Sequence, residues 1–427
     1  MRILFYTEKE RKTDIKGTYD VIVVGSGPSG IAAALKASEC GCSTLLIEQS
    51  GSVGGISTSG MMSHFTGSVK SLMYERILKN AEEKNVFKGY ASRVTIDPEM
   101  LKNTYYEMLE KAGTQLLLYT FVCGVMMDGN RVTGVITESK SGRNAYAAKA
   151  VIDCSGDGDV GFYAGAEYYK GREEDGKMQP ATLMFKVGGV DTERAVFPGS
   201  FETEVETAKG ELQALARKYL PYPAGHVLLY RSTIPGTVTC NMTNCVDIDG
   251  TKAEDLTKAE TVCRSQMQPI VEFLREYAPG YENCYITGAG SLIGIRETRH
   301  FKGVKSITEN DIYEARFFSD WVVRDAYFNF DVHNLTGSGL DETGSQKNFR
   351  QKKGYTIPYG CLVPEKTDGL LLSGRNISGT HMAHSNFRAM PICVAIGEAG
   401  GAAAALAVKH SIEPREVKVS EIQELLV

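Results

Sequence analysis

A chain of 427 residues with 42% hydrophobic content exceeds what one hydrophobic core usually organises, so two interleaved domains and a large internal site are expected. The net charge of -5 and a pI near 5.9 leave no basic stripe for a nucleic acid or an anionic membrane surface, and neither partner is expected. Ten cysteines without a CxxC pair fit reduced thiols better than disulfides, zinc or iron–sulfur clusters. With no secretory core in Met1–Gly17 and no run near the ~18 apolar residues of a membrane span, a cytoplasmic protein is expected.

In chain order, Asp20–Val24 reads as a short buried strand, followed at once by Gly25-Ser26-Gly27-Pro28-Ser29-Gly30 and an alanine-rich helix to about Cys40. A second apolar run, Thr44–Ile47, ends in Glu48. Strand, glycine turn, helix and strand make a βαβ unit. Asp97-Pro98 then places an N-cap before a proline at the first helical position, and Leu101, Tyr105, Met108, Leu109 and Ala112 recur at helical spacing until Gly113. Leu116–Val125, Arg131–Ser139 and Ala145–Ile152, separated by turn-forming clusters, predict a three-stranded meander.

From about Tyr168 the pattern changes. Strands are expected at Ala181–Val187, His226–Ile234 and Thr237–Met242, and a helix opened by the capping box Thr257-Lys258-Ala259-Glu260 and ended by Pro279-Gly280. Gly337–Gln346 is the most loop-like stretch, and Asp341-Glu342 reads as solvated. Gly369–Leu372 returns as a strand, and Pro391–Lys409 is a long helix dense in glycine and alanine. The expectation is an α/β fold: a Rossmann-like unit with a β-meander built from 1–167 and 354–427, and an α+β substrate unit, 168–353, inserted in sequence.

The glycine loop carries the first chemistry. In Gly25-x-Gly27-x-x-Gly30 the first glycine permits a tight turn, the second lets the backbone approach a pyrophosphate, and the third lets helix pack on strand. The helix N-terminus presents free N–H groups and partial positive charge to phosphates. Glu48, at the end of the second strand, can accept hydrogen bonds from ribose hydroxyls.

These residues, with Glu48-Gln49, Gly54-Gly55, Val151-Ile-Asp-Cys-Ser155-Gly156-Asp157-Gly, Gly369-Leu-Leu-Leu-Ser-Gly374-Arg375-Asn376-Ile-Ser, Arg388-Ala-Met-Pro391 and Gly397-Glu-Ala399-Gly400, resemble the FAD-dependent oxidoreductase family of the glutathione-reductase-like, two-dinucleotide-binding-domain flavoproteins. Gly294-Ile-Arg296-Glu-Thr-Arg299 and Ile357–Pro364 are similar to that family's middle stretches, so the resemblance runs from about Tyr19 to Lys409. It implies non-covalent FAD. Gly25, Ser26, Gly27, Pro28, Ser29 and Gly30 would face the pyrophosphate with Gly54 and Gly55. Glu48 and Gln49 would meet the ribose, and Val122 the adenine edge. Gly374, Arg375 and Asn376 would pass the ribityl chain, and Ser155, Gly156 and Asp157, in the second fingerprint, also belong to the cofactor set. The helix after Pro391 would aim its N-terminus at flavin N1 and the C2 carbonyl, with Ala399 and Gly400 in the cofactor set and also suited to close helix packing.

The residues facing the flavin set the reaction. The cysteine pair of dithiol flavoenzymes is missing after Gly54-Gly55; Cys240 and Cys245 have that spacing, but on a strand they would point to opposite faces. A single glycine fingerprint argues against a dedicated nicotinamide domain, so electrons pass through a substrate, a diffusing nicotinamide or an external protein. His381, His384 and Arg388 lie between the ribityl strand and the flavin-facing helix, where a loop is expected to cross the isoalloxazine edge; a histidine there can move a proton and an arginine can hold a carboxylate. No metal is expected, because His381-x-x-His384 has no acidic third ligand nearby in sequence. Arg296, Arg299 and His300 form a second basic group that either binds an anionic substrate or pairs with acids such as Glu297. His64 could lie above the flavin. The leading function is hydride transfer between flavin N5 and a small organic substrate. The alternatives are an electron-transfer subunit with a redox partner and a fumarate-reductase-like C=C reductase.

Overall fold

The computed structural model describes residues 8–62, 64–339 and 351–427; part of the loop-like Gly337–Gln346, including Asp341 and Glu342, lies outside the described residues, as do 1–7 of the N-terminal stretch. Its largest sheet has seven strands in the order Gln115–Leu117, Thr44–Ile47, Asp14–Val24, Gly142–Asp153, Arg131–Ser139 and Phe121–Asp128, with Leu370–Leu372 also on Gly142–Asp153. Val21–Val24 run parallel to Thr44–Ile47, and Ile22 pairs with Val151 on the other side. Gly142–Asp153 is the hinge of this topology. Its first half pairs antiparallel with Arg131–Ser139, while Val151–Asp153 pair parallel with Leu370–Leu372. The meander and the Rossmann-like sheet are therefore one sheet.

The expected strand Leu116–Val125 is divided. Leu116 sits on an edge strand parallel to Thr44–Ile47, and a separate strand starts at Phe121. Between them Tyr119 has φ 53°, and Tyr119 and Thr120 donate their N–H groups to the carbonyls of Ser50 and Glu48. Apolar periodicity has no mark for such a break.

Helix Pro28–Glu39 lies against helix Met390–His410, and glycine sets how close they come. A Cβ on Gly397 would stand 2.0 Å from the Ser29 carbonyl oxygen, and one on Gly401 2.4 Å from that of Ala33. Met390–His410 is long and apolar enough to cross a membrane, yet 94% of its apolar 18-residue window is buried inside the fold. Helix Pro98–Ala112 is capped as its sequence implies, with Asp97 accepting from the N–H groups of Glu99 and Met100 and Gly113 left-handed at φ 72°.

A second core is built by residues 181–284. Strands Leu229–Arg231, Val238–Cys240, Phe185–Gly188 and Tyr285–Ala289 form an antiparallel sheet, shorter than the apolar runs imply. The long helix beside it runs Ala253–Tyr277, so the expected capping box at Thr257 is not used. Thr257 is inside the helix and its hydroxyl donates to the Ala253 carbonyl; Asp249 instead organises the entry, bonding Thr251. Cys240 and Cys245 both lie in this core, contrary to the opposite faces expected, because the strand ends at Cys240. Residues 301–363 pack into the first core, and Trp321–Tyr327 pairs with both Tyr355–Pro358 and Ser68–Lys70. The two cores thus interleave in sequence.

Candidate functional site

The glycine loop is held from both sides. Gly25 (φ 92°) could not carry a side chain, since its Cβ would lie 2.5 Å from the Cys154 carbonyl oxygen, and a Cβ on Gly30 would lie 1.8 Å from the Gly25 oxygen. Gly27 is different: an added Cβ meets no protein atom within 4 Å. The protein's own packing explains two of the three glycines and leaves the third to something that approaches the loop from outside. Gly27 is also the N-cap of helix Pro28–Glu39 without a side-chain cap, so the first-turn N–H groups face that same space.

Glu48 is buried and braces the loop. One carboxylate oxygen accepts from Ser26 N–H (2.8 Å) and Oγ (2.7 Å), and the other accepts from Ser50 N–H (2.8 Å). Gln49 follows it at the surface. Gly54 donates to the Ser26 carbonyl at 2.8 Å, and a Cβ on Gly55 would come within 3.1 Å of Gly27 Cα, so the doublet closes over the loop. Val122 is buried in the meander opposite Thr137.

On the other side, Asp153 accepts from the Ser155 N–H and hydroxyl. Asp157 accepts from Arg375 (2.5 Å) and Thr298 (2.7 Å). Gly156 is left-handed and lies against the Arg375 guanidinium. Gly374 (φ 93°) passes close to Ser29, whose hydroxyl bonds Ser373 at 2.7 Å. Asn376 donates to the Asp153 carbonyl, while its buried side-chain oxygen has no partner among the described residues. Ala399 and Gly400 lie mid-helix, Gly400 against Ser373 and Ile152; the role visible for both is packing.

The expected basic group splits three ways. Arg299 reaches back to the Asp157 carbonyl and Asp159, stacked over Phe162 at 4.3 Å. Arg296 turns the other way, donating to the Pro180 carbonyl (2.6 Å) and Thr182 (2.8 Å). Only His300 meets Glu297, at 2.7 Å.

The expected loop at 381–388 is a buried helix, His381–Phe387, which the Thr380 side chain caps by accepting from the Ala383 N–H; a position between two cofactor-lining elements does not reveal that cap's effect. His381 Nδ1 lies 2.6 Å from the same Glu297 oxygen that holds His300. His384 is 1% exposed, its ring edge-to-face with His300 at 4.6 Å. Arg388 donates to the Asp331 carboxylate at 2.8 Å. Gln179 ties the halves together: its N–H donates to Glu297, and its side-chain oxygen accepts from His333 N–H and Arg388. Beyond it, Phe201 stands between His333 and His226, His226 bonds the Asn241 carbonyl, and Asn241 reaches Tyr230, on which His64 stacks. Six of the seven histidines in the chain are joined by these contacts.

Burial and charge set the protonation of this cluster. Burial, then the Arg296 charge, pushes His333 down to about 4; burial, then His333, pushes His226 down to about 3. Burial, reinforced by His300, holds His384 well below the usual histidine range. Arg296 is lowered to about 10 by burial and by the neighbouring Arg388. For Asp331 and Glu297 burial acts upward, but the former's His333, Arg388 and Arg296 and the latter's hydrogen bonds from His300 and His381 more than reverse it, so both stay ionised. The sequence reading found Arg296, His381, His384 and Arg388; it missed Asp331, His333, His226, Tyr230 and Gln179, which carry no motif and meet only through the fold.

The FAD dependent oxidoreductase family matches residues 20–426. Over 174 residues, 36% of this chain and 26% of the relative, it is 30% identical to the tRNA uridine 5-carboxymethylaminomethyl modification enzyme MnmG of Dichelobacter nodosus. Over 204 residues, 42% of this chain and 47% of the relative, it is 26% identical to digeranylgeranylglycerophospholipid reductase 1 of Methanococcoides burtonii. The chain thus spans between a quarter and a half of the length of these curated relatives. In fold it is similar to p-nitrophenol 4-monooxygenase PnpA of Pseudomonas putida (TM-score 0.52, 11% identity, 96% and 84% of the two chains). It is likewise similar to a geranylgeranyl bacteriochlorophyll reductase-like protein of Thermoplasma acidophilum (0.50, 14%, 96% and 82%). The glycine loop with open space before Gly27, the closing doublet and the unpartnered Asn376 oxygen fit the cofactor of that family. The chain belongs to the FAD dependent oxidoreductase family, enzymes that bind FAD.

Proposed function

We propose that this protein transfers a hydride between N5 of non-covalently bound FAD and a small organic substrate bearing a carboxylate. The observation that carries the reading is the charge of the buried cluster. With His226, His333 and His384 held neutral, Arg388 is paired with the Asp331 carboxylate while the buried Arg296 donates only to the Pro180 carbonyl and Thr182, so among the described residues one guanidinium has no carboxylate hydrogen-bonded to it and can take a substrate anion. Gly27, Glu48, Gly55, Arg375 and Asn376 would hold the cofactor, which supplies two-electron chemistry. Arg388, oriented by Asp331 and Gln179, would fix the substrate's carboxylate, and Arg296 would balance its charge.

His381 is the group we assign to the proton. It is the least enclosed of the three histidines around Glu297, at 7% exposure, and its Nδ1 is occupied by the carboxylate, so proton exchange falls to Nε2. His384, buried and held neutral, does not suit that task. The second half-reaction would use an external electron donor or acceptor, and the second core, residues 181–284, would act as the substrate-presenting unit. That two of the similar proteins are named reductases supports hydride delivery to substrate as the physiological direction.

The test is a panel of hydroxy, keto and unsaturated carboxylates against their amides and esters, read by bleaching or reoxidation of the flavin absorbance. Carboxylates alone should turn over. Amides reacting equally fast would refute the assignment of Arg296 and Arg388.

A further inference from the structure

Beyond the arginines lies a second group, Glu297, His300 and His384, of which only Glu297 touches the proton-carrying His381. One atom of each lies within 4.8 Å of the other two, and all three are buried. They come from two places in the fold, Glu297 and His300 from the segment entering strand Arg299–Phe301 and His384 from helix His381–Phe387.

Two features set this group apart from a satisfied polar core. His300 and His384 are 0% and 1% exposed, yet Nδ1 of each has no hydrogen-bond partner among the described residues. An unpartnered buried polar atom costs about 1–3 kcal/mol, and two in touching rings are hard to explain by packing alone. The carboxylate is also buried, at 1% exposure, and among the described residues its hydrogen-bond partners are His300, His381 and the Gln179 N–H, with no lysine or arginine. An ionised carboxylate in such a place needs a cation.

We propose that Glu297, His300 and His384 bind one divalent transition metal ion. Two imidazole nitrogens and one carboxylate oxygen suit zinc, iron(II) or manganese, and they disfavour calcium and magnesium, which take oxygen ligands. Three protein ligands leave further coordination positions for water or a small molecule. His381 would then orient the site from outside it, its Nδ1–H fixing the Glu297 carboxylate as outer hydrogen bonds commonly do for metal-ligating carboxylates. Tyr169, stacked on His300 at 5.0 Å and bonded to the Gly379 carbonyl, holds the ring in place. The sequence reading set a metal aside because His381-x-x-His384 lacks an acid nearby; the fold supplies Glu297 and exchanges His381 for His300.

The test uses the flavin-loaded protein stripped with a chelator, supplied with Zn²⁺ and passed through a desalting column. Elemental analysis should find close to one zinc per chain, and thermal denaturation should move up by several degrees. X-ray absorption at the zinc edge should show nitrogen and oxygen neighbours without sulfur. His384→Ala and Glu297→Gln should each lower retained zinc at least tenfold with flavin still bound. Less than a tenth of an equivalent in the wild type, or sulfur among the zinc neighbours, would overturn the proposal. Sulfur would place the ion on the protein's thiols. The wild-type measurements decide the matter even if a variant fails to fold, and they are independent of any substrate.

Discussion

Replacing Gly27 separates what the fold needs from what the cofactor needs. An added Cβ there meets no protein atom within 4 Å, and the backbone is at an ordinary φ of −64°. Gly27→Ala should therefore cost the apoprotein only the poorer N-cap, about 0.5–1 kcal/mol, a shift of about 1 °C or less in a chain of this size. The same methyl group would stand where a phosphate must approach the first-turn N–H groups. Losing one charge-assisted hydrogen bond there, at about 1.5–3 kcal/mol, weakens FAD binding about 10- to 150-fold. Gly27→Val should abolish reconstitution. The assay is calorimetric unfolding of apoprotein beside fluorescence titration of apoprotein with FAD. Wild-type FAD affinity in Gly27→Ala would refute the reasoning; so would a loss of apoprotein stability as large as that of Gly30→Ala, whose Cβ would lie 1.8 Å from a backbone oxygen.

Glu48→Ala should lower both stability and FAD affinity, because it strips the acceptor from three donors on the glycine loop and its flank; melting curves with and without FAD check both. Denatured protein should release FAD, and chromatography showing FMN or retained colour would contradict this. Arg388→Ala and His381→Ala should keep flavin but slow its reduction or reoxidation by substrate about 10²-fold or more, read by stopped flow. Stability should fall on acidification. His226 and His333 have folded values of about 3 and about 4, below the usual 6.5, so between that value and the folded ones the unfolded chain binds more protons. Stability present at pH 7 is then lost as pH drops from about 6.5 toward 4, by up to about 1.4 kcal/mol per pH unit for each such histidine. Glu297 and Asp331, held ionised, add to the loss below their unfolded values of 4.5 and 3.8. Urea midpoints across pH 4–8 should trace it, and His226→Asn should flatten the slope.

The sequence made the nucleotide end legible because its constraints are local. Gly25, Gly30, Asp97 and Gly113 each answer to atoms a few residues away or to a neighbouring strand of fixed register, so spacing alone exposes them. The break at Tyr119 and the early start of helix Ala253–Tyr277 were not legible, since both are decided by hydrogen bonds to distant or non-periodic partners. The histidine cluster was half legible. His381, His384, Arg388 and Arg296 fall in motif-bearing stretches, but which of them meet depends on tertiary placement. Nothing about Arg296, Arg299 and His300 as neighbours in sequence reveals that they point to three different places. Asp331 and His333 sit in a segment without a pattern and gain meaning only beside Arg388 and Phe201.

The contact between helices Pro28–Glu39 and Met390–His410 also bears on how the chain is made. Ser29 and Ser373, joined by a hydrogen bond, are 344 positions apart, so the helix whose Gly397 and Gly401 pack on Ser29 and Ala33 is synthesised long after them. During translation the first helix must wait with its small-residue face uncovered, and Gly142–Asp153 waits without Leu370–Leu372 along its second edge. A nascent chain halted before 370 presents an open sheet edge and an apolar helix face together, the combination that pairs most readily with other unfinished chains. Synthesis of the segment from Leu370 to His410, more than any local nucleation, is then the event that commits this protein to its native state.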